Sequence, residues 1–423
     1  MTAVAQTPAA PSAAGERRAV AARLTQSGRF EESLPLWRDE LYSGEDGAGW
    51  VRAAAVEAMA WRDLTVAGRL AELYAAARWG SRWYPGPATA APIARRPPRT
   101  QLSVPKLRHD IDQFRHLRDR GLLGAEFDEI IGAYAELAER LLPAGIEARV
   151  PLAGEHEARI GHVYNRIVHL APAPRVDRAL SSTWDPVAVE DRYLSEAPGL
   201  VVIDDFLSST ALAQVRRFCL ESTVWSGTRY AAGRLGAFFV DGFAAPLLLQ
   251  IAEELRAAFP RMIGERHPLR QLWGFKNAPS VAGPPNLHAD FAAVNVNFWV
   301  TPTEANLDED TGGLVVHDVP APLSWDFTTY NERPELIAGY LRNRGARAFR
   351  VPYRANRAII FNSDLFHATE PIRFRPEYEH RRVNITMLYG DRADDRHHPS
   401  PVGAATNTGT PAWRSGALGR ARG

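Results

Sequence analysis

Near Pro198 the spacing of apolar residues along this chain changes character. Upstream, apolar side chains recur every three to four positions, as on amphipathic helices. Downstream they alternate or gather in short runs bounded by Gly, Pro, Asn and Asp, as in strands. A block of helices followed by a block of strands excludes a doubly wound parallel sheet, which needs the two to interleave. It predicts an α+β chain with an all-helical first half and an antiparallel sandwich or barrel as its second. At 423 residues the chain exceeds what one hydrophobic core usually serves, so more than one domain is expected.

Residues 1–14 are rich in Ala, Pro, Thr and Ser and predict a flexible tail. From Glu16 to Trp79 the pattern repeats with an offset of 34: Gly28-Arg29-Phe30 falls over Arg62-Asp63-Leu64, Leu36 over Leu70, and Ala22 over Val56. That is the period of a helix-turn-helix repeat. The stretch SGRFEESLPLWRDEL resembles a tetratricopeptide repeat, a likeness that places Pro35 in the first turn of its helix and assigns 15–80 to such units. Residues 81–102, rich in Pro and Arg, read as a linker. Residues 103–195 read as a further helical region. Ser103 is placed to cap a helix with Pro105 in its first turn, and Leu107, Ile111, Phe114 and Leu117 form one stripe. Phe127, Ile130, Ile131, Tyr134, Leu137 and Leu141 form the next, ended by Pro143 and Gly145.

In the second half GLVVIDDFL reads as a buried strand, with helices starting at Ser208 or Ser209 and spanning Ala245 to Phe259. RQLWGFKN, AVNVNFWV, GGLVVHD, ARAFRVPY, RAIIFN and RRVNITMLYG then follow as strands, which sets this domain at 196–390 and leaves 391–423 as a loose tail. Charge narrows the partners. Fifty basic against forty-nine acidic side chains leave a net +1, so no nucleic-acid or anionic-lipid footprint is expected. No apolar run approaches the roughly 20 residues that span a bilayer. The single cysteine, Cys219, forbids an internal disulfide or a cysteine metal cluster. The N-terminus lacks a basic start followed by an apolar segment, so a cytoplasmic location is expected.

The chemistry concentrates in PNLHADFAAVNVNFWV, where His288 and Asp290 stand two apart. An H-x-D triplet alone is weak, since twelve histidines and ordinary Asp usage give about one match by chance. Its value comes from AIIFNSDLFHATEPI, a strand delivering His367 into a turn, and from the arginines that open HRRVNITMLYG. Two imidazoles and one carboxylate on adjacent strands can occupy one face of an octahedral iron and leave three positions open. Elsewhere, His109-Asp110 reads as a helix crosslink, and His317, His380, His397 and His398 as surface or supporting groups. Trp273 reads as core and Lys276 as a surface lysine, with Asn277 beside them; the alternative is that one of the three lines the pocket.

In this order of elements the second half resembles the Fe(II)- and 2-oxoglutarate-dependent dioxygenases. The likeness rests on the VVIDDFL strand, the H-x-D pair, a loop ending in Gly312-Gly313, the distal histidine and an arginine on the last strand. It implies a double-stranded β-helix, or jelly roll, with His288, Asp290 and His367 as iron ligands. It also implies an arginine anchoring the distal carboxylate of 2-oxoglutarate, and O2-dependent oxidation of an unactivated C–H bond with release of succinate. Strand alternation puts Arg382, Asn384 and Thr386 on one face and Arg381 on the other. The family pairs its arginine with a small polar residue two positions on, which favours Arg382 with Asn384 over Arg381. Asn295 and Asn297 share a face after Asp290, where contact with the cosubstrate or hydrogen bonds to nearby loops are both open. Halogenating relatives lack the carboxylate ligand, so Asp290 favours hydroxylation or a related C–H oxidation over halogenation. The helical repeats suit a peptide or protein substrate. A free amino acid or natural-product intermediate is the alternative, and a noncatalytic protein that binds a partner or itself through the helical region is the third reading.

Overall fold

The computed structural model describes residues 13–42, 47–60, 63–84, 101–228, 233–281 and 286–392, so 1–12 and 393–423 of the expected tails, with His397 and His398, and 85–100 of the expected linker lie outside the described residues. The chain begins with helices α1 (Ala13–Gln26), α2 (Phe30–Tyr42), α3 (Gly47–Ala60) and α4 (Leu64–Trp79). Their starts keep the offset of 34, Ala13 to Gly47 and Phe30 to Leu64. Pro35 is not in the first turn of α2 but inside it. Burial of Phe30, Trp37 and Leu41 draws the helix start back to Phe30, and that apolar stripe offsets the backbone hydrogen bond the proline removes. Asp63 caps α4 by accepting from the Val66 amide at 3.0 Å.

A second helical group follows: β1 (Gln101–Ser103), α5 (Val104–Asp119), α6 (Glu126–Leu141), β2 (Arg149–Pro151) and α7 (Glu155–Ile160). Pro105 sits in the first turn of α5, but Ser103 makes no side-chain cap bond. Both apolar stripes are buried against each other and against Tyr164, with Ile131 only partly so. β1 pairs antiparallel with β2, so the segment read as linker ends in a strand and the region read as wholly helical contains one.

Beyond α8 (Pro186–Ser195) the strands appear, with four helices among them: β3 (Leu200–Ile203), α9 (Ser209–Glu221), β4 (Leu235–Phe238), α10 (Pro246–Ala258), β5 (Leu269–Lys276), β6 (Ser280–Val281), β7 (Val294–Trp299), β8 (Leu314–Pro320), α11 (Phe327–Asn331), α12 (Pro334–Arg344), β9 (Ala348–Val351), β10 (Ala358–Asn362), β11 (Leu365–Thr369), β12 (Ile372–Arg373) and β13 (Val383–Tyr389). An antiparallel six-stranded sheet runs in the order β3-β10-β7-β13-β5-β4, and a three-stranded sheet runs β11-β8-β9. Ile359, Phe361 and Trp299 from the first meet Leu314, Val316, Val351 and Leu365 from the second in one apolar interior, the layout of a jelly roll. The fold is therefore α+β, with two facing antiparallel sheets. Helices α11 and α12 cover the outside of the small sheet through Tyr330, Ile337 and Leu341 against Phe366 and Ala368. No described helix is long and apolar enough to cross a membrane.

The outer face of the large sheet is apolar and needs cover. Val294, Val296, Phe298, Leu272, Ile385 and Met387 share one core with α9, α10 and residues of α1 to α4 such as Val51, Leu70 and Ala71. α3 rests on β5, and α4 reaches α10 because Gly68 has no side chain: a Cβ there would lie 2.6 Å from Leu249 Cδ1. The second helical group is tied in by polar contacts. Gln113 donates to the carbonyls of Leu220 and Ser222, and Arg381 of the strand edge pairs with Asp112 of α5 at 2.7 Å. Lys276 is not a surface residue: it is 1 % exposed, donates to the Tyr378 hydroxyl at 2.6 Å and lies over the Trp225 ring. Burial pushes its pKa well down, which suits a lysine enclosed by rings.

A shared core makes the first helices and the sheet one cooperative unit. Leu70→Ala should destabilise the whole chain by about 2–5 kcal/mol, visible as one shifted denaturation transition rather than loss of a separate early one. A chain shortened to begin near Arg175 should be insoluble, because it bares the apolar parts of β5 and α10 that α3 and α4 cover; soluble yield and thermal unfolding check both.

Candidate metal centre

The site is built where the segment before β7 meets β11. His288 and His367 form an antiparallel bridge with backbone bonds in both directions, 3.1 Å from the His288 amide and 2.8 Å from the His367 amide. Two residues on, the Asp290 amide donates to the Ser363 carbonyl at 3.1 Å. Residues two apart on an extended segment share a face, so His288 and Asp290 project together beside His367. One ligand atom from each lies within 4.8 Å of the others. His367 lies on β11, after the turn at Ser363-Asp364 rather than within a turn. Pairing with Val316 on β8 extends the strand through it.

Each imidazole is already oriented. Nδ1 of His288 faces the Asn286 carbonyl at 2.7 Å, and Nδ1 of His367 faces the Leu365 carbonyl at 2.9 Å. A carbonyl can only accept, so each Nδ1 carries the proton and each Nε2 is left with a lone pair for a metal. Burial, and then the neighbouring His288, hold the His367 pKa well below the usual histidine range, which keeps the ring neutral. Burial raises the Asp290 carboxyl, while His288 and the donor on Asn295 pull it back.

Asn295 and Asn297 lie on the inner face of β7, and the structure assigns them to a ladder. Asn295 Nδ2 donates to Asp290 Oδ2 at 2.8 Å, Asn297 Nδ2 donates to Asn295 Oδ1, and Thr386 Oγ1 donates to Asn297 Oδ1 at 2.6 Å. Register explains the alignment: Asn297 stands opposite Thr386 of β13. Thr386 was not singled out from the sequence, although it shares a face with Asn384 and Arg382.

Arg382 faces the same interior. It is 1 % exposed, its Nε donates to the Gly312 carbonyl at 2.7 Å, and Nη1 donates to Asn384 Oδ1 at 3.1 Å. Its guanidinium lies 5.4 Å from the Trp299 ring and 5.8 Å from the Tyr353 ring. Among the described residues no carboxylate forms an ion pair with it, and burial lowers its pKa to about 10. Arg381 points the other way, to Asp112. Trp299 and Tyr353 carry no motif, and Gly312, which ends the loop that supports the resemblance, gives no sign in the sequence that its carbonyl meets Arg382.

The other candidates lie elsewhere. Trp273 is half-buried on the inner face of β5, and Asn277 accepts from Arg234 at 3.2 Å. His109 is buried beside Asp110 in the polar layer under α5, and His317 lies half-buried on β8. Asp391 and Arg392 belong to the folded unit: Arg392 pairs with the buried Asp364, so order extends past the expected boundary at 390.

No protein-family model and no curated protein matches the chain. Similar solved structures include a Pseudomonas putida prolyl-4-hydroxylase (12% identity, 51% of this chain and 99% of that one, TM-score 0.30). HygX from Streptomyces hygroscopicus, solved with nickel, 2-oxoglutarate and hygromycin B, shares 17% identity over 48% of this chain and 85% of that one, TM-score 0.34. The epimerase SnoN, solved with Fe3+, alpha ketoglutarate and nogalamycin RO, shares 15% identity over 54% and 94%, TM-score 0.37. Likenesses this weak assign no role, and the site is read from its own geometry.

Asn295→Ala should weaken Ni(II) or Mn(II) binding about 10–100-fold, the usual cost of removing a partner that orients a ligand, measured by calorimetry. Asp290→Asn should abolish binding yet stabilise the metal-free chain at pH 7. The carboxyl's raised pKa means that its ionisation opposes folding. That gain should therefore vanish as pH falls through the carboxylate range, where Asp290 is itself protonated. Thermal unfolding with chelator present at both pH values checks the sign.

Proposed function

We propose that the chain is a non-haem Fe(II)- and 2-oxoglutarate-dependent oxygenase that hydroxylates an unactivated C–H bond. The carrying observation is that one interior holds both an oriented His-Asp-His set and a buried guanidinium that forms no ion pair among the described residues. A desolvated guanidinium without a carboxylate is costly, and an incoming dicarboxylate would supply what the fold leaves out.

His288, Asp290 and His367 would hold Fe(II), and Arg382 would take the distal carboxylate, with Asn384 bracing its fork. When bound, iron and 2-oxoglutarate supply the oxidising power, through O2-dependent decarboxylation to succinate. The chain's own residues orient and exclude water. The two backbone carbonyls keep the imidazoles in the Nε2-ligating tautomer, and the Asn295-Asn297-Thr386 ladder fixes the carboxylate. Trp299 and Tyr353 keep the anchoring arginine dry, so that its bond to a carboxylate is made at low dielectric.

A substrate carried on a peptide or protein side chain and a small-molecule substrate both fit this reading. The helices α1 to α4 bury themselves on the outer face of the large sheet, opposite the site, which favours support over recruitment as their role. A noncatalytic partner-binding protein would have no use for three convergent ligand atoms and a guanidinium without an ion pair among the described residues in one interior.

Anaerobic addition of Fe(II) and then 2-oxoglutarate should give the charge-transfer absorption of a chelated 2-oxo acid, and slow succinate release should follow on admitting air. Arg382→Ala should cost on the order of 2–5 kcal/mol of 2-oxoglutarate affinity, whereas Arg381→Ala should leave it nearly intact and lower stability instead. Equal loss in both variants, or no metal-dependent succinate from the wild type, sinks the assignment.

A further inference from the structure

An extended segment offers its backbone groups to two sides in turn, and the segment that carries the metal ligands has a strand partner on one side only. The His288 and Asp290 amides turn toward β11 and the residues before it, donating to the carbonyls of His367 and Ser363, each at 3.1 Å. The amide and carbonyl of Ala289, between them, turn the other way, where no strand runs among the described residues. Ala289 is fully buried, and buried backbone groups must find partners. Helix α11 supplies both. The Ala289 amide donates to the Tyr330 carbonyl at 2.9 Å, and the Ala289 carbonyl accepts from Asn331 Nδ2 at 2.9 Å.

Helix geometry explains why one partner is backbone and the other a side chain. The last carbonyls of a helix have no acceptor role within it, so the Tyr330 carbonyl can receive a passing amide as a neighbouring strand would. A backbone donor is harder to find there, because amides near a helix C-terminus are spent inside it, as the Glu332 amide is on the Thr328 carbonyl at 3.0 Å. An asparagine amide takes that place, and since a carbonyl only accepts, it presents Nδ2. The helix is itself fastened. Arg392 lies 4.0 Å from the Tyr330 ring, donates to the Ala321 and Pro322 carbonyls at 3.0 and 3.2 Å, and pairs with Asp364, three residues before His367. One guanidinium thus ties the helix beside Ala289 to the turn that delivers His367. The Ala289 methyl packs outward with Tyr330 and Phe366, which leaves its peptide groups to carry the connection to the ligands.

We propose that Asn331 is a positioning residue of the metal centre: its amide holds the Ala289 carbonyl, fixes the backbone between His288 and Asp290, and so sets the spacing of their ligand atoms. This deepens the oxygenase reading and rests on it for the presence of the metal. Without the Asn331 donor the Ala289 carbonyl is buried with its partner removed, and the peptide between Ala289 and Asp290 turns to find another. A peptide is a rigid plane, so that turn changes ψ of Ala289 and φ of Asp290 and swings the carboxylate out of line with His288.

The test titrates the full chain with Ni(II) and with Mn(II) by calorimetry and follows thermal unfolding with chelator present. Asn331→Ala should weaken both metals about tenfold, the lower end of the cost of losing a group that orients a ligand. Asn331→Asp keeps the shape but turns no donor toward the carbonyl, so it should weaken them at least as much, and it carries the expectation if the alanine variant does not fold. Ile337→Val separates positioning from stability, because it trims the apolar layer beneath α12 and leaves the hydrogen bonds of Ala289 in place. It should lower the unfolding temperature while metal affinity stays within about twofold of the wild type. Electron paramagnetic resonance of bound Cu(II) should change in Asn331→Ala and not in Ile337→Val. Metal affinity unmoved in the Asn331 variants, or lowered as much by Ile337→Val, overturns the positioning role and leaves the oxygenase reading standing. A wild-type chain that binds neither metal overturns both.

Discussion

Everything in the site depends on one isolated antiparallel bridge, His288 with His367. Neither residue is positioned by its own side chain. Each is placed by backbone bonds to the other, so the segment before β7 cannot move without breaking a reciprocal pair. Once that pairing is fixed, alternation along the extended segment decides that Asp290 projects with His288, and the carbonyls two residues before each histidine decide the tautomers. The ligand set is thus a consequence of backbone geometry, and the side chains that support it have only to hold that backbone and the carboxylate.

The same alternation divides the labour of the large sheet. Its outward residues are mostly apolar, Lys276 and Asn362 excepted, and demand a cover, which α9, α10 and the first four helices provide through one continuous core. Its inward residues carry the chemistry: Asn295, Asn297, Thr386, Asn384 and Arg382 in the middle strands, rings at the β5 and β4 edge. A shift of one residue in any of these strands would move polar groups into the helical core and apolar groups into the site, so packing against the helices is what enforces the register.

Much of this was legible before any coordinates. The H-x-D pair and the second histidine stand out in the sequence, strand alternation separates Arg382 from Arg381, and the family resemblance favours Arg382; the structure places Arg382 inward and Arg381 against Asp112. What sequence could not supply was partners. The ladder from Thr386 to Asp290 joins residues 96 apart in number only through cross-strand register, which no local pattern encodes. Helices α11 and α12 escaped notice because they are short and interrupted by Asn331 and Pro334. Lys276 reads as exposed from its charge alone, because the rings of Trp225 and Tyr378 that enclose it come from distant segments. In RQLWGFKN adjacent apolar residues fill both phases, so the sequence does not say that Leu272 faces the helices and Trp273 the cavity.

The arrangement also places two energetic debits side by side. Asp290 is buried where its charge is disfavoured, and Arg382 is buried with a peptide carbonyl, an amide and two rings but no ion pair among the described residues. Each alone works against folding, since a buried ion without a counterion costs several kcal/mol even after relaxation. They do not neutralise one another: Asn295, Asn297 and Thr386 stand between Asp290 and the Asn384 that holds the arginine's fork, and each charged group is committed to its own neutral partners. A cation at one end and an anion at the other would relieve both, and a metal chelated by a dicarboxylate supplies the two charges in one assembly. On that argument the large helical cover does more than hide an apolar sheet: it provides the surplus of burial that lets the interior keep two unpaired charges ready for the groups that complete them.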